Sequence, residues 1–386
     1  DQAGTSLGTL PAPAGGSVGL VCKFNSSGTY QYSRIVDGTG SEIGYGVTCD
    51  SSDNMYLAGY YATAAPTIKD QNGTSLGTLP APTIGQVAAF VCKFNSSGTY
   101  QYSRIVDGTG NEYGYSVTCD SSGNMYLAGR YDTAAPTIKD QAGTSLGTLP
   151  APSGSTVAAF VCKFNSSGTY QYSRIVDGTG NEYGYSVTCD SSGNMYLAGQ
   201  YGAAPTIKDQ AGTSLGTLPA PSGSTVAAFV CKFDSSGTYQ YSRIVDGTGN
   251  EYGYSVTCDS SGNMYLAGQY GAAPTIKDQA GTSLGTLPAP SGSTVAAFVC
   301  KFDSSGTYQY SRIVDGTGNE YGYSVTCDSS GNMYLAGQYG AAPTIKDQAG
   351  TSLGTLPAPS GSTVAAFVCK FDSSGTYQYS RIVDGT

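Results

Sequence analysis

Short apolar runs alternate with glycine-rich polar turns along the whole chain. In residues 185–190 (YSVTCD), Tyr185, Val187 and Cys189 fall on one face and Ser186 and Thr188 on the other, as a pleated strand requires. The DSSGN that follows supplies the Asp, Ser and Gly of a hairpin turn with a left-handed glycine, and Met195–Tyr201 returns as its partner strand. Residues 160–164 (FVCKF) repeat the plan, with Phe160, Cys162 and Phe164 on one face. An NSSG turn, DSSG in later copies, leads into residues 170–176 (YQYSRIV). We name these four strands a, b, c and d, starting from YSVTCD. Between b and c, the segment APTIKDQAGTSLGTLPAPSGST predicts a smaller hairpin, TIKD with TSLGTL, at the sheet margin.

The pattern is periodic. The marker DQAGTSLGTLPAP, or a close variant, starts at Asp1, Asp70, Asp140, Asp209, Asp278 and Asp347, a spacing of 69 or 70 residues. The repeats are therefore 1–69, 70–139, 140–208, 209–277, 278–346 and a truncated 347–386, and the fourth and fifth are identical. Four antiparallel strands per unit at a fixed period predict an all-β fold, a β-propeller of four-stranded blades in one array over residues 1–386. A parallel β-helix would need shorter coils and would lack regular DSSG hairpins. Strand d, outermost in such a blade, would carry its tyrosines near the rim.

Composition narrows the function. Charged residues make up 12% of the chain, against about a quarter in an average globular protein, and 32 tyrosines exclude a disordered polyelectrolyte. The net charge of −9, with Lys and Arg spread two to four per repeat, argues against nucleic acid as a partner. No apolar run approaches the roughly 20 residues of a membrane span. Near-identical units give ladders of equivalent sites where an active site needs different residues converging. The chain has no His, so catalysis would fall to carboxylates such as Glu182 and Asp190, which read as loop and turn residues. Neither an enzyme nor a cofactor is expected.

Eleven cysteines fall in register: Cys22, Cys92, Cys162, Cys231, Cys300 and Cys369 on strand c, and Cys49, Cys119, Cys189, Cys258 and Cys327 on strand a. Within a blade, a and c lie about 10 Å apart, beyond the roughly 7 Å reach of a disulfide. Two readings stay open: buried thiols acting as small hydrophobes, or disulfides between blades. Metal binding is disfavoured, since there is neither His nor CxxC, and the DSSGN turns lack the further acidic ligands of a calcium loop. Asn25, Asn72, Asn95 and Asn165 head glycosylation sequons that overlap turns. On strand d, Tyr170, Tyr172 and Arg174, repeated as Tyr239, Tyr241 and Arg243, offer either blade packing or a contact with another subunit or a glycan.

The pattern YGYSVTCDSSGNMYLAGQY, then TIKDQAGTSLGTL, then AAFVCKFDSSGTYQYSRIVDGTG, resembles the SBBP-type β-propeller repeat family over essentially the full chain. That resemblance implies the propeller fold and a secreted or surface setting, and says little about chemistry. Versions with the TIKD-type segment look like those of large DNA viruses and some protists. Tyrosine stands here where the family often has a strand d Trp, and cysteine where it more often has Ala or Val.

Six c–d hairpins but five a–b hairpins are present. Either the protein continues past Thr386, or a neighbouring copy completes the open blade head to tail, which would build a filament. The resulting expectation is a structural repeat protein of an extracellular, cell or virion surface, assembling with copies of itself; a glycan-binding adhesin is the alternative.

Overall fold

The computed structural model describes residues 2–62, 64–83, 87–154, 157–223, 226–292, 295–361 and 364–385. It divides into two compact units. The first comprises residues 1–152, 156–175 and 209–213, and the second 153–155, 176–208 and 214–386. Every named element is a β-strand. Among the described residues no helix is long and apolar enough to cross a membrane.

In the second unit one sheet runs a (Tyr183–Cys189), b (Met195–Tyr201), c (Ala227–Phe233) and d (Tyr239–Asp246), all antiparallel neighbours. This is the four-stranded unit that the alternating pattern predicts. The small hairpin also forms, as strands e (Thr275–Asp278) and f (Ser283–Thr286). Strand e pairs with d in the register Arg243↔Asp278, Ile244↔Lys277 and Asp246↔Thr275. The sheet therefore has six strands in the order a-b-c-d-e-f, and d is not its outer edge. An open strand d would present a row of unpaired backbone groups, and e covers them.

The chain path is interlaced. After strand d the chain leaves to build the next a–b hairpin, Tyr252–Cys258 with Met264–Gly271. Only then does it return to lay e and f against the sheet it left. The next sheet is completed by Val295–Phe302, Tyr308–Asp315, Thr344–Asp347 and Ser352–Thr355. The last is Tyr321–Cys327, Met333–Tyr339, Ala365–Phe371 and Tyr377–Val383.

The first unit follows the same scheme. Its complete sheet is Glu42–Cys49, Met55–Ala62, Val87–Phe94, Tyr100–Asp107, Thr137–Asp140 and Ser145–Thr148. Repeated antiparallel blades of this kind define a propeller-type, all-β repeat fold.

Inside the array strands b and c are buried on both faces, as in Met264–Gly271, all eight of whose residues are buried. Both therefore read as nearly continuous apolar runs, while strand a alternates. Between successive sheets of the second unit, Tyr196, Ala198 and Val230 pack against Val256, Leu266, Phe298 and Cys300. Each large side chain so buried contributes about 1.5–3 kcal/mol. A bulge between Gly184 and Ser186 sets the twist of strand a. Opposite it, a Cβ on Gly199 would lie 1.7 Å from the Tyr183 carbonyl oxygen, so only glycine fits.

Candidate functional site

Three polar clusters recur along the array, and all are placed by strand d and its neighbours. The first is built on the DSSGN turn. Asp190 Oδ1 accepts the backbone N–H groups of Ser192 and Asn194 at 2.9 Å each. Asp190 Oδ2 accepts Asn194 Nδ2 at 2.8 Å and the Tyr196 hydroxyl at 3.1 Å. Gly193 takes φ +77°, the left-handed conformation the turn demands. The carboxylate is thus fully occupied by its own hairpin. Above it, Lys232 Nζ lies over the rings of Tyr196 and Tyr241 at 5.2 and 5.5 Å and donates to the Ser304 carbonyl of the next repeat at 2.8 Å. In the first unit the equivalent Lys93 also stands 3.9 Å from Asp50.

The second cluster holds the strand d triplets singled out in the sequence. Arg243 stacks on Tyr241 at 4.4 Å, and its Nε donates to the Gly306 carbonyl at 2.6 Å, 63 residues ahead. The Tyr239 hydroxyl shares a 2.9 Å hydrogen bond with Ser242 Oγ. Arg174 likewise stacks on Tyr172 at 4.4 Å, and Tyr170 bonds Ser173 at 2.9 Å. The e–f hairpin lies outside strand d, so these side chains are half-buried braces within the fold; the rim placement is corrected by that hairpin.

The third cluster was not singled out from sequence. Lys277 on strand e faces Ile244, and Asp246 lies two residues further along strand d, a diagonal pair on one face. Lys277 Nζ and Asp246 Oδ2 are 2.5 Å apart, with Asp246 almost wholly buried. The Ser222 backbone N–H reaches both carboxylate oxygens, at 2.8 and 2.9 Å, while Ser222 Oγ accepts from Lys277 at 2.6 Å. Beside the pair stands Glu251, fully buried; its Oε2 accepts the Gly247 N–H at 2.9 Å, and the Gly271 N–H also bears on the carboxyl. Burial, aided by the neighbouring Asp246 charge, pushes the Glu251 carboxyl up to about 7. The matching Glu182 is pushed up to about 8 for the same reasons. The signal in the sequence was the recurrence of IVDG, a glutamate five residues after its aspartate, and TIKD with its lysine 31 or 32 residues after that aspartate.

The eleven cysteines are free thiols. Those on strand c point to strand d: Ser242 Oγ and Ser311 Oγ lie 3.2 Å from Cys231 and Cys300. Burial pushes Cys92, Cys162, Cys231 and Cys300 up to about 12, so they are unreactive at neutral pH. On strand a, Cys258 and Cys327 interact electrostatically. Asn25, Asn95 and Asn165 use Oδ1 to cap the backbone N–H groups of their turns, and Asn72 is exposed in a turn held by Asp70. Among the described residues no group of His, Cys, Asp and Glu is arranged to hold a metal. A tyrosine stack on strand a also escaped sequence reasoning: Tyr254 lies 5.6 Å from Tyr185 and 5.5 Å from Tyr323.

Taken together, fold and clusters define a propeller-type repeat protein whose polar groups are spent on internal bracing. No family model matches the chain, so the family resemblance rests on the quoted motifs. It is similar, at 22% identity over 92% of its length, to the uncharacterized WD repeat-containing protein L264 of Acanthamoeba polyphaga mimivirus. The chain spans 29% of the length of that relative. Among solved structures it overlaps regucalcin, a calcium-binding protein of Agrobacterium tumefaciens, with 11% identity and a TM-score of 0.28 over 84% of this chain and 81% of that one. A eukaryotic initiation factor overlaps with 10% identity and a TM-score of 0.25, over 85% and 96% of the two chains. Overlaps this loose decide nothing about this chain; its fold class rests on its own strand topology.

Proposed function

We propose that the array is a structural, non-enzymatic scaffold that assembles with copies of itself into a fibre or coat at a cell or virion surface. The observation that supports this reading is that each polar cluster closes on its own turn or on the next repeat. Arg243 reaches Gly306, Arg312 reaches Gly375, and Lys232 and Lys301 reach Ser304 and Ser373. The lysine–aspartate ion pairs and the glutamates beside them are buried inside the array. The similarity to a viral WD repeat-containing protein favours the virion setting. Negative-stain electron microscopy of the expressed chain tests the reading. Regular filaments or sheets are expected, and a monodisperse compact particle at all concentrations would overturn it.

A further inference from the structure

The third cluster has a composition that a plain ion pair does not need. A lysine and an aspartate that merely attract each other are complete when their hydrogen bonds are satisfied. Here every copy adds a fully buried glutamic acid whose Oε2 accepts the N–H of the glycine that follows the aspartate: Glu42, Glu112, Glu182, Glu251 and Glu320. Burying a further carboxyl beside an ion pair is costly, and carboxylates are seldom fully buried. Repeating that cost in five copies calls for a use. The five lysine–aspartate pairs are Lys69–Asp37, Lys139–Asp107, Lys208–Asp177, Lys277–Asp246 and Lys346–Asp315.

We propose that the lysine and aspartate of each pair join in an intramolecular isopeptide bond, with the adjacent glutamic acid serving the proton transfers. The ammonium first passes a proton to the carboxylate within the ion pair, giving amine and carboxylic acid. Lys277 Nζ then attacks the Asp246 carboxyl carbon. The N–C bond forms, the C–OH bond breaks, and one water leaves, so a cation and an anion become one neutral amide. No oxidant, metal or nucleotide is required.

The surroundings suit each step. The Ser222 N–H points at both carboxylate oxygens, where negative charge grows in the tetrahedral intermediate. Ser222 Oγ holds the lysine nitrogen against the carboxyl. Ser153 and Ser291 do the same around Asp177 and Asp315, and Thr83 around Asp107. Only around Asp37 is the residue an alanine, Ala14, which supplies the N–H alone. Glu251, held by the N–H of the residue that follows Asp246, remains an acid near neutrality and so keeps a proton to give to the departing oxygen. Each bond would tie strand e to strand d across 31 or 32 residues of chain, enclosing the whole a–b hairpin of the next sheet.

This inference adds to the scaffold reading without resting on it, because mass reports the bond whatever the assembly does. Intact mass of the reduced, denatured chain should fall short of the sequence mass by five waters. Lys277→Arg, which keeps the charge but cannot form the amide, should fall short by four. Glu251→Gln should remain folded by circular dichroism and also fall short by four. Tandem mass spectra should contain a branched peptide joining Lys277 to Asp246. The full sequence mass would overturn the proposal. So would a water loss that persists in Lys277→Arg, which would mark an imide at Asp246–Gly247.

Discussion

Two buried lysine–aspartate groups sit near the two ends of strand d, and they are built differently. At the DSSGN end, Asp190 has a donor for each oxygen twice over, and Lys232 rests on two tyrosine rings. At the other end, the lysine touches its carboxylate directly and a second carboxyl, that of Glu251, is fully buried beside them. The first arrangement is what a structural brace requires, since a satisfied buried network rigidifies. The difference separates groups that hold the fold from groups free to react.

The sharpest way to set the two ends apart is pH. In the folded chain Glu112 and Glu182 are pushed up to about 8 and Glu251 and Glu320 to about 7, all by burial first. A raised carboxyl favours folding while protonated. The contribution is complete below the ordinary carboxyl range and is lost as pH climbs through 7 and 8. Denaturant unfolding should therefore show stability dropping by several kcal/mol between mildly acidic and alkaline solution. Replacing the four glutamates with glutamine should flatten that slope, and an unchanged slope would remove the buried glutamates from the account.

The satisfied end should break by deletion instead. Asp259→Ala strands the Tyr265 hydroxyl, the Asn263 amide and two backbone N–H groups. A loss of about 3–5 kcal/mol is expected from urea titration. Arg312→Ala removes the stack on Tyr310 and the bond to Gly375, and about 2 kcal/mol should go with them. Cys300→Ala removes one thiol from a packed face and its contact with Ser311, with a melting shift corresponding to about 1 kcal/mol. Equal losses from Asp259→Ala and Cys300→Ala would erase the distinction between brace and filler.

Much of this was legible in the sequence, for reasons tied to particular residues. The a–b and c–d hairpins follow from local alternation and from turns such as 190–194, whose glycine and aspartate act within five residues. The owner of the e–f hairpin was not legible. TIKD carries no mark of which strand d it will join, and its partner lies beyond an intervening hairpin. The same distance hid the lysine–aspartate–glutamate cluster, whose members meet only once strand e has returned. Tyr241 and Arg243 could be placed on one face, yet the hairpin that lies outside them comes about 30 residues later, beyond the next a–b hairpin. For the cysteines, register was readable, and the partners Ser242 and Ser311 stand a constant 11 residues on, directly across the c–d hairpin.

The returning hairpin has a consequence for how such a gene can grow. Because the six strands of a sheet run from Tyr183 to Thr286, more than one period of chain, no stretch a single period long holds a whole sheet, wherever it starts. Duplication of any stretch one period long, started at any point, keeps the order of strands intact. Unequal recombination is thereby harmless in every phase, and two identical neighbours such as residues 209–277 and 278–346 are what that freedom leaves behind.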